Sequence, residues 1–261
     1  MEKILKEIET IEKHTFDNLH DKENKKSELY KQLSEFLFKA AKENDKNTIK
    51  EILLSPNISA KNLLDENGYN IIEYCLFNSD NELFYFLYEN LYDYVDCCFA
   101  KIPELFTITF KKENFELVRF FLKNFGKYLK KINIVECLFK AVEYNQEDII
   151  NSIIDNFSDF IDSRNLQASI IYFISYNKLD ALKVLFSKSQ ILNKILDKDI
   201  EKMFLLSILN KNDKVIEIML SNKYFNDALN RLDENLIKNI NNLAYENKNL
   251  VILENLQNLL K

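Results

Sequence analysis

The chain has 261 residues, 47% of them hydrophobic, and carries 35 Lys and Arg against 41 Asp and Glu for a formal charge of −6. Such a balance is poor for a general nucleic-acid binder, whose affinity rests on cationic side chains set against phosphates. Two glycines (Gly68, Gly126) and two prolines (Pro56, Pro103) are too few for a sheet-rich fold, and the glycines lie too far apart for a phosphate loop, a dinucleotide fingerprint or a nucleophile elbow.

The opening MEKILKEIETIEK places Ile4, Ile8 and Ile11 at helical spacing with Glu and Lys between them. This predicts an amphipathic helix, and neither a cleavable signal nor a membrane span. No later stretch reaches the ~18 apolar residues of a spanning helix. A cytoplasmic protein is therefore expected, with export by a non-classical route left open and no membrane partner. The polar run from Asp17 to Glu28 reads as a loop, so residues 1–28 form a helix and loop that precede the body of the chain at 29–261. Two roles stand open for that helix: a cap over an exposed apolar end, or a seam for self-association. The two histidines, His14 and His20, fall in this segment and fit no HExxH metal site.

Beyond residue 28 one helix-turn-helix pattern repeats seven times, with turns predicted at Asn44, Ser79, Glu113, Asn145, Asn177, Lys211 and Asn247. Seven residues before each turn stand Leu37, Ile72, Phe106, Leu138, Ile170, Phe204 and Ile240; three before stand Ala41, Leu76, Phe110, Val142, Ile174, Ile208 and Ala244. Five residues after it come Ile49, Phe84, Val118, Ile150, Leu182, Ile216 and Ile252, and nine after come Leu53, Tyr88, Leu122, Ile154, Phe186, Leu220 and Leu256. All are apolar or aromatic. Self-similarity at a period of 32 to 36 residues predicts an all-α fold, a right-handed-stacked helical repeat solenoid of about seven units following the N-terminal helix. Helices of the expected eight to ten residues are marginal alone and must bury one face against their neighbours. Asn at four of the seven turns suits a left-handed residue closing the first helix. Acids just after the turn, such as Glu147 and Asp148, suit the start of the second.

In the second copy, DENGYNIIEYCLFNSDNELFYFLYEN from Asp65 to Asn90 resembles an ankyrin repeat. Asp65 and Gly68 match that family's hairpin turn, Ile72 its leucine, Cys75 and Leu76 its small pair, Glu82 its glutamate, and Leu83, Phe84, Phe86 and Leu87 its second-helix core. The first copy contributes Ala40, Ala41, Ile49, Ile52 and Leu53; the third contributes Glu113 to Asn124, and the fourth Ala141 with Asp148, Ile149 and Ile150. No copy carries the T-P-L-H tetrapeptide, and Asn70-Ile71-Ile72-Glu73 stands in its place, so irregular or helical connections are expected where the family has hairpins. The tetratricopeptide array has a similar period, but its Gly and Pro landmarks are absent too, and another α-solenoid remains an alternative.

The resemblance implies a non-catalytic module that binds a protein partner through first-helix ends and loop tips. Carried onto this chain, those positions are Glu66, Asn67, Tyr69, Phe77, Asn78, Lys111, Lys112, Glu143, Tyr144, Ser175 and Tyr176, with Phe77, Tyr144 and Tyr176 as the aromatic row. The alternative for that row is packing between repeats. A second candidate is the run Leu83 to Phe99, where Tyr85, Tyr92 or Tyr94 would be exposed unless the following connection covers them. The pairs Lys111-Lys112 and Lys130-Lys131 read as solvated helix faces, and Asp65-Glu66 and Glu147-Asp148 as capping acids. Cys75, Cys97, Cys98 and Cys137 show no zinc-ligand spacing and are expected as reduced thiols, so no metal or cofactor is anticipated. Leu256, Leu259 and Leu260 near the end offer an apolar terminus on which a second copy could stack as a homo-oligomer.

Overall fold

The computed structural model describes the chain except residues 14–18, 230, 232–233, 251 and 255–261, and the side chains of residues 12, 13, 19–21 and 236. His14 and the leucines 256, 259 and 260 therefore lie outside the described residues, as does the side chain of His20. Every regular element among the described residues is helical. The chain divides into two compact units, Met1–Phe121 and Leu122–Lys261. No described helix is long and apolar enough to cross a membrane.

The first unit begins with α1 (Glu2–Lys13), which buries Ile8 and Ile11 and packs on α2 (Leu19–Lys42). Here the structure corrects the expected loop: from Leu19 onward the polar stretch is helix, continuous with the first helix of the first repeat. Its Lys and Glu residues are good helix formers with no Gly or Pro among them, and Leu29, Tyr30, Leu33 and Leu37 anchor the C-terminal half in the core. Polarity alone does not break a helix that one buried stripe holds. There follow α3 (Lys46–Leu53), α4 (Ile71–Asn78), α5 (Asn81–Val95), α6 (Ile102–Lys111) and α7 (Phe115–Phe125). Within this unit α3 packs on α2 and α5, and α4 on α5 and α6.

The second unit continues with α8 (Lys131–Glu143), α9 (Glu147–Phe157), α10 (Ser163–Ser175), α11 (Leu179–Phe186), α12 (Ser189–Leu192), α13 (Asp197–Leu209), α14 (Asp213–Leu220), α15 (Lys223–Leu229) and α16 (Glu234–Glu246). Its contacts run in two rows: α10 against α8 and α13, α13 against α16, and in parallel α11 against α9 and α14. First helices here have 13 residues, longer than the spacing predicts. The added turn lies at the N-terminal side, where Leu166 and Ile200 are buried.

Every described position of the apolar frame is buried except Tyr88, which is half-buried. The turns are built alike. Asn44, Ser79, Glu113, Asn145, Asn177, Lys211 and Lys248 all have φ between 52° and 59°. Each donates its N–H to the carbonyl three residues back, and the next residue donates to the carbonyl five residues before itself, as in Glu113 to Phe110 (3.2 Å) and Asn114 to Thr109 (2.9 Å). This is the Schellman closure, which satisfies two otherwise orphaned helix-end carbonyls. The residue after the turn then opens the second helix: Asp45, Asp80, Asn114, Asn212 and Asn249 accept backbone N–H groups of the helix they precede. One residue closes a helix and its neighbour starts the next.

The seventh turn falls on Lys248, one residue past the predicted Asn247. Asn247 instead donates its amide to the Leu243 carbonyl (2.9 Å), and Asn249 takes the capping place, 3.1 Å from the Ile252 N–H. With two Asn at the turn, the capping requirement sets the register. Ile240, Ala244 and Ile252 stay buried because the shift moves them onto the adjoining core column.

A left-handed residue with a Cβ is strained relative to glycine by roughly 1 kcal/mol. Glu113→Gly and Lys211→Gly, both at exposed turns, are each expected to stabilise the protein by about 0.5–1 kcal/mol, read as a raised urea midpoint at unchanged slope. Glycine at Lys112, outside the left-handed region at φ −85°, is expected to give no such gain.

Where the family pattern would place hairpins, the connections are short 3-10 turns at Ala60–Asn62, Asp96–Phe99, Gly126–Tyr128 and Ser158–Phe160, or the small helices α12 and α15. The second copy alone shows a hairpin-like turn among the described residues. There Asp65 donates its N–H to the Tyr69 carbonyl (2.9 Å), its carboxylate accepts from Asn67 and Tyr69, and Gly68 sits at φ +80°. Asp65 thus holds this turn and does not cap a helix. Asn70 and Glu73 complete it with a reciprocal capping box on α4.

Candidate surface for partner binding

The predicted site residues lie on both units, and each surface stands by itself. In the first unit Tyr69 and Phe77 are brought together, stacked at 4.1 Å with planes 23° apart, and Lys112 Nζ lies 5.6 Å from the Phe77 centroid. The Asp65 turn positions Tyr69 over the end of α4, so both rings are half-buried. Asn78 donates to the Tyr74 carbonyl (2.9 Å), while Glu66, Asn67 and Lys111 point to solvent.

In the second unit Tyr144 closes α8 and Tyr176 closes α10, each immediately before its left-handed residue. They are 37% and 64% exposed, so most of the Tyr176 ring faces water. Glu143 and Ser175 beside them are exposed as well. Lys140 Nζ is 5.4 Å from the Tyr144 centroid and 2.9 Å from the Glu143 carboxylate, which fixes one cation between a ring and an acid. Tyr176 leans on Tyr172 at 4.5 Å, and Tyr172 meets Phe139 at 5.6 Å. Lys178 Nζ donates to the Glu143 carbonyl (2.8 Å), tying the two turns together. Tyr172, Phe139 and Lys140 belong to this surface although the repeat columns did not single them out. For Tyr172 and Lys140 the signal was the four-residue spacing that stacks side chains on one helix face, Tyr172 with Tyr176 and Lys140 with Tyr144, while Phe139 had none.

The turn side of both units is cross-linked by polar side chains from successive copies. Lys46 pairs with Glu82 (2.5 Å), Asn114 donates to Asn81 (2.6 Å) and Asn81 to Glu116 (2.7 Å). In the second unit Asn212 donates to Asn177 (3.1 Å) and Asn249 to Asp213 (2.7 Å). Lys131, from one of the basic pairs, bridges to Asp162 and holds that carboxyl below the usual range. These residues join neighbouring copies and are engaged.

Cys75, Cys98 and Cys137 are buried and Cys97 half-buried, all as free thiols, and burial pushes the thiols of Cys75, Cys98 and Cys137 up. Among the described residues no three of His, Cys, Asp and Glu gather in metal-binding proximity. No protein-family model, curated protein or solved structure matches the chain.

Proposed function

We propose that the chain is a divergent ankyrin-like helical-repeat solenoid, and that it works by binding a protein partner without catalysis. The turns with one shared closure support the repeat reading, and the hairpin-like Asp65 turn with its capping box supports the ankyrin-like one. The observation that carries the functional reading is the pair Tyr172–Tyr176, with Tyr176 64% exposed on a firm aromatic backing. A large ring held in one orientation offers contact area at little further entropic cost, which is why tyrosines dominate interface energetics. Tyr144 and the Lys140–Glu143 pair add a polar rim at the matching end of α8.

A tagged full chain is incubated with lysate of the native cell, and captured proteins are compared between wild type and the double variant Tyr144→Ala/Tyr176→Ala. The expected result is a stoichiometric partner whose affinity falls by about 30-fold or more, equivalent to ~2 kcal/mol. Stability should change by no more than about 0.5 kcal/mol, since both rings are surface groups. A Tyr245→Ala variant, altering a tyrosine 77% exposed on α16, should retain the partner. Equal capture by all three chains would reject this face. A Tm lowered by many degrees in the double variant would assign the rings to packing.

A further inference from the structure

We propose that the outer turn of α5 is a docking strip for an arginine-rich segment of a partner protein, separate from the tyrosine surface of the second unit. The strip follows from three successive residues. Leu91 and Val95 are buried, and the residues between them, Tyr92, Asp93 and Tyr94, all face outward, Tyr92 at 40% and Tyr94 at 48% exposure. Glu89, just before this turn, and Asp96, just after it, are exposed too.

Tyr92 stands on a rigid support. Tyr92 packs against Tyr88 at 5.3 Å and Phe99 at 5.7 Å, and Tyr88 meets Phe120 at 4.8 Å. Phe99 arrives with the 3-10 turn Asp96–Phe99 and is itself buried, so the connection after α5 folds back against Tyr88 and Tyr92 while Tyr92 stays 40% exposed. A break in helical geometry at Leu91, φ −133° and ψ 17°, sets the last turn apart from the rest of α5.

Charge selects the occupant. From Ser79 to Ala100 the chain has five acids and neither Lys nor Arg. Asp80 caps α5 and Glu82 pairs with Lys46, but no ion pair reaches Glu89, Asp93 or Asp96 among the described residues. Exposed aromatic rings on the same turn as unpaired carboxylates suit a cation that can stack and form two parallel hydrogen bonds at once. Guanidinium does both, whereas an ammonium is more strongly hydrated and lacks the planar fork. The same charge repels phosphate backbones and acidic peptides.

The full chain contains no tryptophan, so a peptide bearing one tryptophan reports binding by its own fluorescence. The probes are a tryptophan-tagged peptide of alternating Gly and Arg and matched peptides with Lys or Glu in place of Arg. The Arg peptide should bind tighter than the Lys peptide, with the Glu peptide inert and affinity falling as salt rises. Tyr92→Ser/Tyr94→Ser should weaken the Arg peptide at least about tenfold at every salt concentration, while Tyr92→Phe/Tyr94→Phe, which keeps both rings, should bind as wild type. Asp93→Asn/Asp96→Asn should flatten the salt dependence. The variant Tyr144→Ala/Tyr176→Ala should leave this binding unchanged, so failure here and failure of the proposed function are read separately. Equal binding by the Ser and Phe pairs, or equal affinity for Arg and Glu peptides, would overturn the proposal. Light scattering that showed the wild-type chain self-associating through this strip, and losing that association in the Ser pair, would assign it to a second copy instead.

Discussion

Phe84→Ala is expected to lower the unfolding free energy by about 3–5 kcal/mol, because it removes a fully buried ring from the centre of the first unit. Phe84 contacts Tyr85 (5.7 Å) and Tyr88 (6.4 Å) on its own helix, Phe99 (6.1 Å) on the following turn, and Phe120 (5.2 Å) and Phe121 (6.0 Å) on α7. Aromatic neighbours from three segments cannot collapse together into the space without giving up their own edge-to-face contacts, so the cavity term stays large. Phe84→Leu, which leaves most of the volume filled, should cost only about 1–2 kcal/mol. Urea unfolding followed by far-UV circular dichroism measures both, and the near-UV tyrosine signal should weaken in the alanine variant. Hydrogen exchange should quicken in α3 to α5 and remain slow in α13 and α14. A loss under 1 kcal/mol would mean that the rings repack and that Phe84 is not the hub.

The same residue illustrates what could be read from the sequence. Phe84 occupies the position five after a turn, and its burial follows from periodicity because a helix short of residues must spend each periodic apolar position on the core. Turn positions without Asn were equally legible: Glu113 and Lys211 carry no left-handed preference, but the frame around them leaves no other place for the chain to reverse. Where the frame met a local preference at Asn247, the preference misled, since the αL place went to Lys248 once Asn249 had taken the cap. The helix from Leu19 was missed because its anchoring stripe lies downstream of the polar run. Site residues were harder to find. Tyr176 could be placed at a helix end by counting, but its support by Tyr172 depends on a rotamer, and the openness of Tyr92 on where Phe99 returns. The return of Phe99 through its 3-10 turn leaves no period in the sequence.

The connections between the helix pairs were the least legible segments, and α15 provides the sharpest test of what they contribute. Phe225→Ala is expected to cost about 3–5 kcal/mol, as much as a residue of the periodic frame. The seven-residue helix is too short to persist by itself. Phe225 holds it down: the ring is fully buried and lies edge-to-face against Phe186 at 4.6 Å, with Ala228 and Leu229 buried behind it. Polar side chains then fix its N-terminal half. Asn222 donates to the Phe186 carbonyl and Asn226 to the Leu220 carbonyl, each at 2.7 Å, while Tyr224 donates its hydroxyl to the Ile195 carbonyl at 2.9 Å. Burial raises the Tyr224 pKa, so the hydroxyl keeps its proton, and this donor, throughout the ordinary pH range. Tyr224→Phe removes that one bond from a half-buried site and should cost only about 0.5–1.5 kcal/mol. The ratio of the two losses is the informative quantity. If the connection were an ordinary surface loop, both substitutions would fall within about 0.5 kcal/mol of wild type. If it is a wedge of core, as its burial requires, the alanine variant should melt early and expose α15 to proteolysis while the phenylalanine variant remains folded.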